Sequence, residues 1–296
     1  MGSLRPARPR FKLVLGSWAW VIPAALLVFV VHYVSVGAGG VFAFTNWTGI
    51  GSFEWVGIDN FVRAFTDPQG RIALVNTLAL ALGFVVGANL LGLGFALALN
   101  RNLKSRHVLR VALFAPVVLS PLAVSYIWQF IFQFDGPLNG LLEVVGLGHL
   151  QRAWLGDPAA APWTILVVMV WQSVGLCMII YLAGLAGVPE ELEDASQLDG
   201  AGLWARFRYV TLPQIQPSVI IATVLTLVQG LRVFDQIMAL TGGGPSGATE
   251  TLATLVYKQT FTYGRFGYGA ALSILLTLLV AGLALIQLFA TRQRGD

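Results

Sequence analysis

Long runs of apolar residues dominate the chain, and short polar stretches separate them. A helix that crosses a membrane needs about 20 apolar residues in succession. Six segments meet this requirement, namely residues 13–36, 74–99, 111–134, 161–186, 214–237 and 266–290. Only the fifth contains charged residues, Arg232 and Asp235, and both lie near its end. The pattern predicts an all-α membrane protein with six transmembrane helices.

Composition supports the same class. Of 296 residues, 56% are hydrophobic and 11% are charged, whereas soluble globular chains carry about 25% charged residues. This balance argues against a water-soluble enzyme, and the nearly charge-free spans offer no catalytic set. The single cysteine, Cys177, excludes an intrachain disulfide, and three scattered histidines give no spacing for a metal site. Short basic arms without a folded basic face do not favour nucleic-acid binding.

The basic residues predict the orientation. An even number of spans places both termini on one side, and positive charge is retained in the cytoplasm. Basic residues cluster in the N-terminal arm, the C-terminal tail and the loop between the second and third spans, at Arg5, Arg8, Arg10, Lys12, Arg101, Lys104, Arg106, Arg110, Arg292 and Arg294. We therefore expect a cytoplasmic arm (1–12), a single membrane domain (13–290) and a cytoplasmic tail (291–296).

The loop between the fourth and fifth spans, residues 188–213, is the most polar part of the chain and would be cytoplasmic. Pro189 followed by acidic residues is typical of a helix start, because acids complement the positive end of the helix dipole. Gly200 permits a sharp turn. A second short amphipathic helix would follow, with Leu203, Trp204, Phe207 and Val210 near one face, and would stop at Pro213. The loop then has two alternative roles: a docking element for a protein partner, or a solvated loop that only joins two spans.

This loop resembles the cytoplasmic coupling motif of binding-protein-dependent ABC importer permeases. That motif reads Glu-Ala-Ala, three residues, Gly, nine residues, Ile, one residue, Leu-Pro. Here Asp194-Ala195-Ser196 is followed at the same spacings by Gly200, Val210 and Leu212-Pro213. Asp replaces Glu, Ser replaces the second Ala and Val replaces Ile.

Three further segments are similar to the carbohydrate-type permeases of that family. They are Trp55 to Phe61 in the first outer loop, Asn76-Thr77-Leu78 at the entry to the second span, and Leu240 to Pro245 with Thr249 to Leu252 after the fifth span. The resemblance implies a multi-pass permease of the bacterial cytoplasmic membrane that imports a sugar or polyol by alternating access.

The resemblance also implies partners. They are a second homologous permease, two copies of a cytoplasmic ATP-binding subunit, an extracytoplasmic solute-binding protein that meets the outer loops, and the surrounding membrane lipid. The chain itself has no phosphate-binding loop, since none of its three lysines follows a glycine. ATP and magnesium would bind the partner subunit, and this chain would hold no cofactor. The ATPase-coupling residues would be Asp194, Ala195, Ser196, Gly200, Leu212 and Pro213.

Polar residues inside the spans are candidates for the solute pathway, because an unpartnered polar group is costly in lipid. The candidates are Trp171, Gln172, Ser173, Thr226, Gln229 and Asp235. Amides, hydroxyls and a tryptophan ring suit a neutral polyhydroxylated solute. Hydrogen bonds between helices, and an ion pair between Arg232 and Asp235, are the structural alternatives.

The rival function is an ion-coupled secondary transporter of a small neutral solute. Such transporters normally bury acids or bases at midspan and often contain two related halves. Neither feature is visible in this sequence.

Overall fold

A computed structural model describes residues 16–100 and 104–292. The predicted cytoplasmic arm 1–12, Arg101 and the last four residues, 293–296, lie outside these ranges. The described residues contain no β-strand, and one isolated β-bridge joins Thr45 to Trp55. Four helices are long and apolar enough to cross a membrane, and the number rises to six if each of two bent helix pairs is one span.

The first apolar run consists of α1 (Gly16–Val28), a π-helical segment (Phe29–Val34) and α2 (Ser35–Phe42). It ends six residues beyond the predicted limit at residue 36, since the glycines at 37, 39 and 40 continue the helix. Its membrane-spanning window, within Trp20–Phe42, is 0% buried. A short amphipathic helix, α3 (Asp59–Thr66), precedes the second long helix.

The second span, α4 (Pro68–Leu99), begins six residues before the predicted start. The Asp67 side chain accepts a hydrogen bond from the Gln69 backbone N–H at 3.1 Å, and Pro68 takes the first helical position. These are the two signals of a helix N-terminus, so the polar residues at 69 and 71 belong to the helix.

The third predicted span, 111–134, is not one helix. It divides into α5 (Arg106–Val118) and α6 (Pro121–Ile131), which meet at 101°. Ser120 accepts from the Ala123 N–H at 3.2 Å and so caps α6, while Pro121 starts it. Proline disfavours a helical conformation at the preceding residue, which explains the break. Hydropathy alone does not reveal it.

The connection at 135–160, between the third and fourth predicted spans, is structured. It contains α7 (Pro137–Val144) and a 3₁₀ turn (Gly148–Leu150). The buried Asn139 donates to the carbonyls of Phe134 and Arg152 at 2.9 and 3.0 Å. Its Oδ1 accepts from Trp154 Nε1 at 2.8 Å. One amide therefore holds both ends of the connection.

The fourth span, α8 (Ala161–Leu185), is the central helix, and its bounds agree with the prediction to one residue. It packs against α4 and α5, and its Ile165, Val168 and Met178 belong to the main core. A Cβ at Gly175 would collide with the Leu113 carbonyl oxygen and lie 2.8 Å from Phe114 Cα. Glycine thus allows α5 to approach the α8 backbone. Cys177 is a buried free thiol in the same core.

The loop between the fourth and fifth predicted spans contains α9 (Glu190–Leu198) and a second helical run. That run comprises α10 (Leu203–Arg206), a π-helical turn (Phe207–Thr211) and α11 (Leu212–Gln214). The predicted stop at Pro213 agrees to one residue, since the run continues through Pro213 to Gln214 and the bend falls at Ile215.

The fifth span is shorter than the predicted 214–237. It bends by 74° from the preceding helical run, continues as α12 (Gln216–Leu231) and breaks at 232–234 before α13 (Asp235–Leu240). Because the helix stops, a spacing of three residues no longer places Arg232 and Asp235 on one face. Within the described ranges no ion pair joins them, so that alternative is wrong.

The last part of the chain contains α14 (Leu252–Tyr257), a π-helical turn (Lys258–Thr262) and α15 (Phe266–Arg292). Its start agrees with the predicted sixth span, 266–290. The Thr251 and Thr254 side chains form a reciprocal capping box at the start of α14. Leu252 and Leu255 pack with Tyr268 and Leu272 in a second, smaller core.

Candidate functional site

The loop at 188–213 contains a helix that begins close to Pro189, as the sequence suggests. Pro189 has an extended backbone and stands one residue before α9, so the proline is the N-cap instead of the first helical residue. Acidic side chains fill the first turn of α9, and Asp194 and Ala195 are exposed in the middle of the helix. The loop therefore presents negative charge to solvent.

Gly200 ends α9 in a Schellman motif. Its N–H donates to the Gln197 carbonyl, and the Ala201 N–H donates to the Ser196 carbonyl, both at 3.0 Å. The φ angle of Gly200 is +76°, a conformation that favours glycine. Apart from its two chain neighbours, no heavy atom of the residues that the structure describes lies within 4 Å of the position a Cβ would take. The glycine is thus required by the turn, and the space around it is open to another molecule.

An ion pair across the turn joins the two helical arms at 190–214, here called the hairpin. Arg206 Nη2 of the second helical run lies 3.7 Å from Glu193 Oε2 of α9. Within α9, the buried Ser196 donates from Oγ to the Glu193 carbonyl at 2.7 Å.

The hairpin also exposes large apolar side chains. Leu198 is 89% exposed, Tyr209 76%, and Leu203 and Trp204 73% each. Leu203 and Trp204 were predicted to share a face with Phe207 and Val210, which are half-buried. Tyr209 was missed, because nothing in its local pattern separates a buried ring from an exposed one. Clustered exposed apolar residues beside acids are typical of a protein-docking surface.

A second group of candidate residues surrounds the break between α5 and α6. The Gln172 side chain on α8 donates from Nε2 to the Leu119 carbonyl at 3.0 Å, at that break. Its Oε1 accepts from Gln236 Nε2 on α13 at 3.1 Å. One buried amide therefore joins three helical segments and satisfies a backbone group that the break has left unpaired.

Further polar candidates meet in the interior of the bundle. Gln229 Nε2 on α12 donates to Ser173 Oγ on α8 at 3.2 Å. Thr226 Oγ1 accepts from Asn89 Nδ2 on α4 at 2.9 Å. Tyr181 OH on α8 donates to Asn89 Oδ1 at 2.7 Å, which links α4, α8 and α12. Sequence reasoning missed Tyr181, since a single tyrosine in an apolar run carries no pattern.

The remaining two candidates are more open. Trp171 is 38% exposed, and its ring meets the edge of Trp128 with centroids 5.3 Å apart. Trp128 in turn stacks on Phe132 at 5.0 Å, which gives an aromatic group that sequence reasoning had not connected. Asp235 is exposed at the start of α13. The structure therefore places the six candidates on α8, α12 and α13.

Asparagine side chains organise two of the loops. Asn60 donates to the carbonyls of Ala43 and Thr45 at 2.9 and 2.8 Å, closing the loop that follows α2. Asn76 Nδ2 contacts the carbonyls of Gly247, Ala248 and Glu250 at 3.0–3.2 Å, tying α4 to the loop before α14. Both asparagines lie in the segments singled out above, and their side chains explain why amides are needed there. Residues 16–100 and 104–292 contain no group of three potential metal ligands.

Comparison with protein families gives a match over most of the chain. The family described as "Binding-protein-dependent transport system inner membrane component" matches residues 88–295.

Three relatives match from end to end. One is the multiple sugar-binding transport system permease protein MsmF of Streptococcus mutans, 35% identical over 92% of this chain and 93% of the relative. Another is the trehalose/maltose transport system permease protein MalF of Thermococcus litoralis, 33% identical over 92% and 91%. A third is the lactose transport system permease protein LacF of Rhizobium radiobacter, 31% identical over 95% of each chain.

Solved structures show the same fold. A chain of a bacterial ABC transporter for the import of the acidic polysaccharide alginate superposes with a TM-score of 0.82 at 22% identity, covering 95% of this chain and 96% of that one. A chain of the alginate transporter in complex with an alginate pentasaccharide-bound periplasmic protein gives a TM-score of 0.80 at 22% identity, covering 95% of each.

Proposed function

The chain belongs to the family of binding-protein-dependent transport system inner membrane components, and from this premise we propose that it is the permease subunit of an ATP-driven carbohydrate importer. The relatives named for sugars match it along more than nine-tenths of its length. The observation that carries the proposal is the hairpin at 190–214, which keeps the spacing of the coupling motif and presents an acidic and apolar surface.

Six spans with both termini in the cytoplasm are part of the proposal. The bent pair α5 and α6 would then account for one crossing, and α12 for another, with the 203–214 run at the cytoplasmic end of α12. Lys104 and Arg110 lie in and after the short connection between α4 and α5, and positive charge there favours a cytoplasmic position. The hairpin falls on the same side, because the crossings made by α5–α6 and α8 separate it from that connection.

The hairpin would dock the ATP-binding subunit. Asp194 would supply an ionic contact and Ala195 the adjoining small surface, while Ser196 and Gly200 set the turn. Leu212 and Pro213 lead into the bend at Ile215 and would pass motion of the hairpin to α12. ATP and magnesium belong to the partner, two copies of which would drive this permease and a second, similar permease between outward-open and inward-open states.

The solute pathway would run along α8, α12 and α13. Trp171 offers a partly exposed ring face, and Gln229 and Asp235 offer polar groups. Gln172, Ser173 and Thr226 are buried and hydrogen-bonded within the chain, so they would act by fixing the helices that line the path. The solute-binding protein would meet the outer loops at 37–73 and 241–265.

Reconstitution of the assembled importer in lipid vesicles tests this function. With the binding protein present, we expect radiolabelled maltose or lactose to accumulate only when ATP is hydrolysed. Uptake driven by an imposed proton or sodium gradient without ATP would instead establish the ion-coupled class.

A pair of charge reversals tests the docking surface. Asp194→Lys should detach or uncouple the ATPase, whereas Glu191→Lys, an exposed acid on the same helix outside the motif, should have a smaller effect. Equal solute-stimulated hydrolysis in the wild type and Asp194→Lys would contradict docking at this position.

A further inference from the structure

The groove between the first and last spans contains a charged side chain whose partner is absent from the described chain. Arg232, at the end of α12, lines a cavity of about 630 Å³ together with His32, Phe234, Ser273 and Thr277. Across residues 16–100 and 104–292, the Arg232 guanidinium makes neither an ion pair nor a side-chain hydrogen bond. Asp235, three residues away, does not line the cavity.

The groove extends from the end of α12 into the apolar length of α15. Ser273 and Thr277 follow the start of α15 by seven and eleven residues, or about 10 and 16 Å at 1.5 Å per residue. Arg232 follows the 16 residues of α12, which extend for about 24 Å. In a hydrocarbon layer about 30 Å thick, the two hydroxyls therefore lie inside the layer, and Arg232 lies about 6 Å from one boundary, at the mouth of the groove.

The other side chains of the groove suit a carbohydrate. Ser273 and Thr277 already donate to the carbonyls of Gly269 and Ser273, at 3.0 and 2.8 Å, so their oxygens can accept hydrogen bonds from sugar hydroxyls. Phe234 presents an apolar ring and packs against Tyr257 with centroids 5.5 Å apart. A volume of about 630 Å³ falls within the range of small-molecule sites.

We propose that this groove binds a carbohydrate that carries a carboxylate or phosphate group, and that Arg232 holds the anion. The inference rests on the proposed function and specifies its substrate class. Guanidinium forms paired hydrogen bonds with either anion, whereas a neutral sugar offers no charge to pair with the exposed Arg232. The solute's charge thereby supplies the partner that the chain lacks.

Equilibrium dialysis tests the proposal on the assembled importer in nanodiscs of phosphatidylcholine. The probes are radiolabelled D-glucuronate, D-glucose 1-phosphate and D-glucose. The wild type should bind at least one anionic probe tenfold or more tightly than glucose. Arg232→Gln should abolish the preference, and Arg232→Lys should retain part of it. Arg152→Gln, an exposed arginine in the connection between α7 and α8 and outside the groove, is the matched control and should change nothing.

Several results would overturn the inference. These are equal or tighter binding of glucose, an unchanged preference in Arg232→Gln, or no binding of any probe because a partner carboxylate occupies the groove. Loss of the wild-type preference when phosphatidylglycerol is added would assign Arg232 to lipid. ATP-driven uptake of neutral maltose that survives in Arg232→Gln would leave the proposed function intact, whereas absence of any ATP-dependent carbohydrate uptake would defeat the function itself.

Discussion

Replacement of Gly200 distinguishes two reasons for a glycine in the hairpin. One is the positive φ angle of the turn, and the other is the open space that a partner could enter. The φ of +76° at Gly200 costs any L-residue about 1–2 kcal/mol, with β-branched residues at the upper end and asparagine well below. No atom within 4 Å would obstruct a Cβ, so no steric term inside the chain adds to this cost. A loss of 1–2 kcal/mol lowers the ratio of native to non-native turn by a factor of about 5–30.

We therefore expect Gly200→Val to weaken ATPase binding by up to about 5–30-fold. The assay is surface-immobilised permease complex titrated with purified ATPase, with solute-stimulated hydrolysis measured in parallel. Gly200→Asn tolerates the same backbone and should stay within about threefold of the wild type if conformation alone matters. If the partner approaches the open space above Gly200, both variants should fail.

The matched control is Gly202→Ser. Gly202 also has open surroundings, but its φ is −66° at the N-cap of α10, where serine is favoured. Equal loss in Gly202→Ser and Gly200→Val would show that any change in the loop disrupts docking. Wild-type affinity in Gly200→Val would refute the requirement for this turn.

Three other predictions follow from contacts elsewhere in the molecule. Gly175→Ala should prevent assembly of a stable bundle, because the Cβ would strike the Leu113 carbonyl, while Gly94→Ala, with no atom within 4 Å, should not; thermal unfolding in detergent compares the two. Asn76→Ala leaves three loop carbonyls without their shared donor and should destabilise the 241–251 loop by about 1–3 kcal/mol, seen as faster proteolysis there, and an unchanged cleavage rate would contradict this role. Gln172→Ala should lower the rate of solute uptake while the complex still assembles, and uptake kinetics equal to those of the wild type would assign Gln172 to packing alone.

Hydropathy predicts where this chain is apolar but not where its helices break. The fourth and sixth spans were located almost to the residue, because each is an uninterrupted apolar run with a clear start. The third and fifth spans satisfy the same length rule. Their interruptions depend on Ser120-Pro121 and on residues 232–234, whose effect is local and leaves mean hydropathy unchanged.

The hairpin was more predictable than the interior polar network. Motif spacing, acidic residues and a glycine identify a turn from sequence alone, and the Schellman motif at Gly200 has the predicted backbone. In contrast, the link from Asn89 to Tyr181 and Thr226 joins residues about 90 and 140 positions apart. Such pairings depend on helix rotation and depth, which a single sequence does not specify.

The amide of Gln172 connects the two interrupted crossings to each other. It holds the Leu119 carbonyl at one break and, through Gln236, the segment that follows the other. Each interruption is a natural pivot, since the backbone ladder is already open there. Because one side chain links the two pivots, a change in the bend at one of them must be accompanied by a change at the other, or the buried amide of Gln172 loses a hydrogen-bond partner.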